Sequence, residues 1–186
     1  MEQTDLTNQF LISMPSLKDP NFEKTVTYIC AHNTDGAMGI VINKPLEIGL
    51  GEIFVQMDIT IDNAEANNQA VYQGGPVQID HGFILHQSNR EWDSSIIVSP
   101  EISVTTSKDI LEAMAEGEGP EESLVALGYA GWSAGQLEQE LMDNAWLTGP
   151  ANADIIFNTS SEQCWETAAQ HIGVDLEKLS SDIGHA

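Results

Sequence analysis

Gly131-Trp132-Ser133-Ala134-Gly135 sets a serine between glycines, directly after the apolar run SLVALGYA (123–130) and before QLEQELMDN (136–144). A G-x-S-x-G segment on a strand–turn–helix corner is the setting of a nucleophile elbow, where a strained turn exposes a serine hydroxyl for attack on a carbonyl. Asp143, Asp154 or Asp175, followed by His171 or His185, would supply the partners in the chain order Ser…Asp…His. A hydrolase using Ser133 is therefore one reading. Three features weigh against it. The upstream half reads as hairpins, not as the parallel βαβ units that carry such an elbow. No HGGG-type oxyanion loop occurs. Ser133 and Gln136 also have capping-box spacing, which predicts Ser133 as the N-cap of a helix reaching Asn144 and engages its oxygen with the backbone.

Other chemistry has weaker support. His81 and His86 are five apart in a predicted strand, so their side chains point to opposite faces and do not share an ion. No HExxH or EF-hand loop occurs, and no metal or other cofactor is expected. Gly117-Glu118-Gly119-Pro120 lacks the Lys-Ser/Thr of a phosphate-binding loop, and Gly128-x-x-Gly131 is an incomplete dinucleotide fingerprint with Glu138 and Glu140 close by. What recurs is polar residues beside glycines. Asn33 and Gly36, Asn43, Gly74 and Gly75, and Tyr129, Gly131, Trp132 and Gln136 all fall in such turns. If these turns converge, they form a polar-lined cleft for a small ligand.

The elements that would position these residues can be read from apolar periodicity. FLISM (10–14), TVTYICAH (25–32) and AMGIVIN (37–43) read as strands, the last two joined by the Asn33–Gly36 turn with its Asp-Gly hairpin signal. LGEIFVQM (50–57) predicts a short helix and 58–68 an exposed acidic loop. AVYQGGPV (70–77) predicts a strand broken at Gly74-Gly75-Pro76. HGFILHQ (81–87), and SIIVS with ISVTT around Pro100, predict further strands. A helix is expected over 107–117, a buried strand over 123–130 and a strand at ADIIFN (153–158). Ser160 and Gln163 form a second capping box before a helix, and another short helix is expected over 176–181. Strands first and mixed elements later argue α+β or mixed α/β in one domain, and exclude a doubly wound parallel sheet.

Composition bounds the partners. The 186 residues include 41% hydrophobic ones, enough for one full core. Six Lys+Arg face 29 Asp+Glu, a formal net charge of −23, and Arg90 is the single arginine. Nucleic-acid binding draws on Lys and Arg at phosphates, so this balance argues against it and against anionic membranes. Solubility or salt adaptation accounts for the acidity. Cys30 and Cys164 form no CxxC pair and are expected as reduced thiols. The N-terminal MEQTDLTNQF lacks a leader pattern, and no apolar stretch nears the roughly 18 residues of a membrane span, so a cytoplasmic location is expected.

Several blocks are longer than any of these motifs. FLISMPSL, CAHNTDGAMGIVINKP, VYQGGPVQIDHGFILH, TTSKDILEAMAEGEGP, LVALGYAGWSAGQLEQELMDNAWL and the closing GHA, in this order, resemble the AlgH/YqgE family of bacterial proteins over nearly the whole chain. The resemblance implies a mixed α/β domain whose bifurcated, largely antiparallel sheet curls into a pseudo-barrel with helices packed outside. It implies a bacterial cytosolic protein of a family without an assigned biochemical activity, some of whose members carry the label transcriptional regulator. The family's pattern carries Gly as readily as Ser at the position of Ser133, which speaks against a nucleophile. His81 stands where the family usually has Arg, and Cys164 replaces the Arg expected before Trp165. The expectation is a non-catalytic regulatory or interaction domain that takes a small ligand in a Gly/Asn/Trp-lined cleft. The alternatives are a hydrolase using Ser133, or indirect transcriptional control through a protein partner.

Overall fold

The structure, a computed structural model, describes residues 5–88 and 90–179. β1 (Gln9–Ser13) and β2 (Val26–Asn33) pair antiparallel, and β2 returns as β3 (Gly36–Val41) across Thr34 and Asp35. Asn33 Oδ1 accepts the Asp35 N–H at 2.8 Å, so the expected turn forms the hairpin. β4 (Pro45–Gly49) leads into α1 (Leu50–Gln56), which buries Leu50, Ile53 and Phe54. The stretch expected as a loop holds α2 (Ala64–Asn67), capped by Asn63, whose side chain accepts the Glu65 N–H at 2.9 Å.

β5 (Ala70–Gln73), β6 (Val77–Gln87), β7 (Ser95–Ile97) and β8 (Ile102–Thr105) follow, then α3 (Lys108–Ala115). In α3, Ile110, Leu111 and Met114 share one buried face. Burying a side chain of this size stabilises by about 1.5–3 kcal/mol. β9 (Ser123–Ser133), α4 (Gln136–Met142), β10 (Trp146–Pro150), α5 (Ala153–Asn158) and α6 (Ser161–His171) complete the order, with a helical turn at 176–179.

The strands form one sheet in the order β10-β1-β2-β3-β9-β6-β8-β7, with β4 and β5 branching from it, and the sheet curls into a half-barrel. The mixed α/β, largely antiparallel reading is correct. The branch point is β9. Its Ala130–Ser133 end pairs with β3, its Leu124–Leu127 portion pairs with β6, and Val125–Leu127 also run parallel to β5. Its side chains serve three hydrophobic clusters. Leu124 and Ala126 face Phe10, Tyr28, Leu85 and residues of α5 and α6; Val125 faces α1 and α3; Ala130 and Trp132 face Leu11, Ile29, Leu137 and Trp146.

Two sequence readings are corrected. ADIIFN is a helix, not a strand: Asn152 Oδ1 accepts the Ile155 N–H at 3.0 Å and starts α5, which buries Ile155 and Ile156. A run this short carries no period that separates helix from strand. Ser133 is not a helix cap. It is the last residue of β9, held extended opposite Gly36, and Gly135 at φ +77° starts α4 two residues later. The last expected helix is observed over 176–179; residues 180 and 181, His185 and the closing GHA lie outside the described residues.

Candidate functional site

The end of β9 builds a polar corner. Gly36 faces Ser133, and a Cβ at Gly36 would sit 2.2 Å from the Trp132 carbonyl oxygen, so the hairpin approaches β9 only as glycine. Gln136 Oε1 accepts the Ser133 N–H at 3.0 Å and the Ser133 hydroxyl at 3.3 Å. This is the return half of a capping box without its forward half. Gln136 Nε2 donates to Glu140 Oε2 at 3.0 Å. The other carboxylate oxygen, Glu140 Oε1, accepts both indole N–H groups, Trp132 at 3.0 Å and Trp146 at 2.9 Å. Phe22 packs against both indoles, 6.2 and 5.6 Å between ring centroids. The corner thus gathers Gly36, Gly131, Trp132 and Gln136, with Asn33 at the far end of the hairpin turn.

The carboxylates that an elbow would draw on are engaged elsewhere. Asp143 accepts from Gln139, Asp154 from Asn158, and Asp175 from the Glu177 N–H. His32 is closer to the corner, on β2. Its Nδ1 accepts the Leu6 N–H at 3.0 Å, so Nε2 carries the proton and donates to Glu138 at 2.5 Å. Its one lone pair is therefore used. Burial pushes the Cys30 and Cys164 thiols up to about 12, far from the thiolate form.

Sequence reasoning missed Glu140, Trp146 and the His32–Glu138 pair. Glu138 and Glu140 sit on a helix face that periodicity assigns to solvent, and only the tertiary positions of His32 and the indoles give them partners. The remaining predicted residues lie apart from the corner. Asn43 is buried and bridges backbones, accepting the Val26 N–H at 2.9 Å and donating to the Lys24 carbonyl at 2.9 Å. Gly74 and Gly75 cross under β9, where a Cβ would lie 2.3 Å from the Gly128 oxygen and 2.0 Å from the Tyr129 carbonyl carbon. Tyr129 packs edge-on against Phe83, 5.5 Å between centroids.

The clefts on the described surface include three, and none of the three is lined by the predicted site residues. A polar one of about 500 Å³ runs from Asn63 and Gln69 to Asn158. A smaller one lies beside Val174 and Leu176. The third, about 630 Å³, has apolar walls: Ile53 from α1 and Met57 just after it, Leu111 from α3, and Val125 and Leu127 from β9. Its mouth carries His81, Asp80 and Lys108. A break in register puts them there. Between the pairs Val77–Tyr129 and Gly82–Leu127, β6 spends five steps where β9 spends two, and Gln78 takes φ +49°. The surplus residues bulge outward and re-aim their side chains. His81 is exposed on this bulge, whereas His86 beyond it is buried, its Nδ1–H donating to the Gln87 carbonyl at 2.7 Å and Nε2 accepting from Thr105 at 2.6 Å. Among the described residues no group of His, Cys, Asp and Glu has the arrangement of a metal site, and no helix is long and apolar enough to cross a membrane.

Fold and corner together define a class: mixed α/β domains with a branched half-barrel sheet closed by a glycine-lined crossing. The AlgH-like family model matches residues 10–177, and the chain belongs to that family. It is 58% identical over 183 residues to a UPF0301 protein of Thioalkalivibrio sulfidiphilus, with 98% of each chain covered. It is 55% identical to one of Hahella chejuensis, over 97% of this chain and 96% of the other. The solution structure of AlgH from Pseudomonas aeruginosa superimposes with a TM-score of 0.81 at 47% identity, covering 97% of each chain. The crystal structure of protein DIP2367 from Corynebacterium diphtheriae, at 18% identity and TM-score 0.75 over 97% of this chain and 94% of the other, shares the fold.

Proposed function

We propose that the chain is a non-catalytic regulatory or interaction domain of the cytoplasm that takes a small ligand in the apolar cleft between α1, α3 and the bulge of β6. The observation that carries this is the cleft itself. Its volume of about 630 Å³ and its walls of Ile53, Met57, Leu111 and Leu127, with polar groups confined to the mouth, have the anatomy of a small-molecule site. Support for binding over catalysis comes from the corner at Ser133, whose hydroxyl, carboxylate and amide groups are bonded to one another. The net charge of −23 supports partners other than nucleic acid.

The test is a fragment screen read by methyl resonances of the full chain. Hits are expected to move Ile53, Met57, Leu111 and Leu127 together, and Met57→Trp, which fills the cleft from its half-buried wall, is expected to remove those shifts. Hits that move only other parts of the molecule, or that persist in Met57→Trp, would overturn the assignment.

A further inference from the structure

Resting on that reading, we infer that the cleft selects an amphiphilic monoanion: an apolar body of the size of a medium-chain carboxylic acid, with its carboxylate at Lys108. The argument starts from the scarcity of cations. Of the six Lys and Arg, Lys18 pairs with Glu23 at 3.6 Å, Lys44 donates to the Pro20 and Asn21 carbonyls at 3.1 and 3.3 Å, and Arg90 donates to the Glu118 carbonyl and lies over the Trp92 ring. Lys24, Lys108 and Lys178 have no ammonium partner among the described residues, and of these Lys108 lines one of the three clefts described above. In a chain with 29 carboxylates, a lysine without one at the mouth of an apolar cavity leaves a charge to be met from outside.

The remaining polar groups at the mouth set the ligand's charge. Asp80 and His81 come from the bulge, their Oδ1 and Nδ1 3.9 Å apart, and Thr106 and Ser107 bring hydroxyls from the approach to α3. With histidine neutral, as in the net charge of −23, Asp80 and Lys108 are the two formal charges at the mouth, and Lys108 is the one cation among the lining residues. The Lys108 ammonium attracts an anionic head, while the Asp80 carboxylate repels each negative charge brought beside it, so a single negative charge suits the mouth better than two. Behind the mouth the walls offer Ile48, Ile53, Met57, Leu111, Val125 and Leu127 and no further charge. A sugar or nucleotide would bury hydroxyls there without partners, whereas a hydrocarbon body gains from the transfer.

The experiment is a titration of the full chain with octanoate, 1-octanol and octyl phosphate, each below its aggregation concentration, read by methyl chemical shifts and calorimetry. Octanoate is expected to move the Ile53, Met57, Leu111 and Leu127 methyls and to bind roughly tenfold tighter than the other two. Lys108→Met, which keeps the aliphatic stem at an exposed position, is expected to weaken octanoate by roughly the same factor and leave octanol unchanged. Equal binding of octanoate and octanol, both blocked by Met57→Trp, would remove the anionic head and leave the cleft reading standing. Tighter binding of octyl phosphate would replace the monoanion by a dianion and overturn the inference. Cleft methyls that respond to no probe would bring down the inference together with the cleft reading beneath it.

Discussion

The corner around Glu140 and the cleft beside Lys108 both form where β9 meets helices, and they treat polar groups in opposite ways. At the corner one carboxylate accepts two indole N–H groups and a side-chain amide, and Gln136 also holds the Ser133 N–H and hydroxyl. Each group answers another within the chain. At the cleft, the bulge of β6 turns His81 and Asp80 outward beside Lys108, whose ammonium has no partner among the described residues. The lesson concerns where to look for function. The G-x-S-x-G corner has the more suggestive sequence and the more complete bonding, so its residues hold the fold. The cleft has little sequence signature and leaves its interactions open.

Substitutions should separate the two regions, and the largest losses belong to the corner. Gly36→Ala places a Cβ 2.2 Å from the Trp132 oxygen at φ +139°, where neither backbone can yield, and is expected to destabilise by about 3 kcal/mol or more in urea melts. Wild-type stability in this variant would mean that the hairpin does not press on β9. Glu140→Ala strips the acceptor from two buried indoles and should cost about 2–4 kcal/mol, with a red shift of tryptophan emission. Glu140→Gln keeps an acceptor oxygen and should lose clearly less; equal losses for the two variants would show that the hydrogen bonds matter little.

A smaller effect concerns acid. Burial holds the His86 imidazole below its ordinary value of 6.5 and keeps it neutral. The folded value lies below the unfolded one, so the unfolded chain takes up the proton first as pH falls. Stability from neutral His86 is present above about 6.5 and is lost as pH drops through that value toward the folded one. Melts over a pH series should show a shallower acid decline for His86→Gln than for the wild type; an unchanged slope would count against the neutral buried form. Smallest of all, Ser133→Ala and Lys108→Met, both at exposed positions, should each stay within about 0.5 kcal/mol of the parent. A fluorophosphonate label that depends on Ser133 would reverse the roles of the two regions.

Much of the framework was legible in the sequence because it is local. The Asn33–Gly36 turn needs only its Asp-Gly step, and α6 begins after Ser160 where its spacing places it, although the Ser160 side chain makes no cap hydrogen bond. What escaped depends on distant partners. β4 and β10 are short strands defined by their pairing with β5 and β1, with no alternation of their own. Ser133 looked like a cap because its spacing to Gln136 is right, and only the pairing with Gly36 keeps it in the sheet. The bulge of β6 has no local mark beyond Gly82, since its register is set by β9 some forty residues later. Whether the polar turns converge was not legible, and neither was the saturation of the Trp132 and Gln136 bonds by Glu140.

The branching of β9 has a consequence during synthesis. Translation delivers the chain from its N-terminus, and domains settle only when the segments that close them are present. β9 begins at Ser123 and supplies Leu124, Ala126, Val125, Ala130 and Trp132 to all three hydrophobic clusters. Until it leaves the ribosome, β3, β5 and β6 each lack a neighbour, and their unpaired edges are exposed to other nascent chains. The first two thirds of this protein keep open edges at β3, β5 and β6 until one late strand arrives to fill all three.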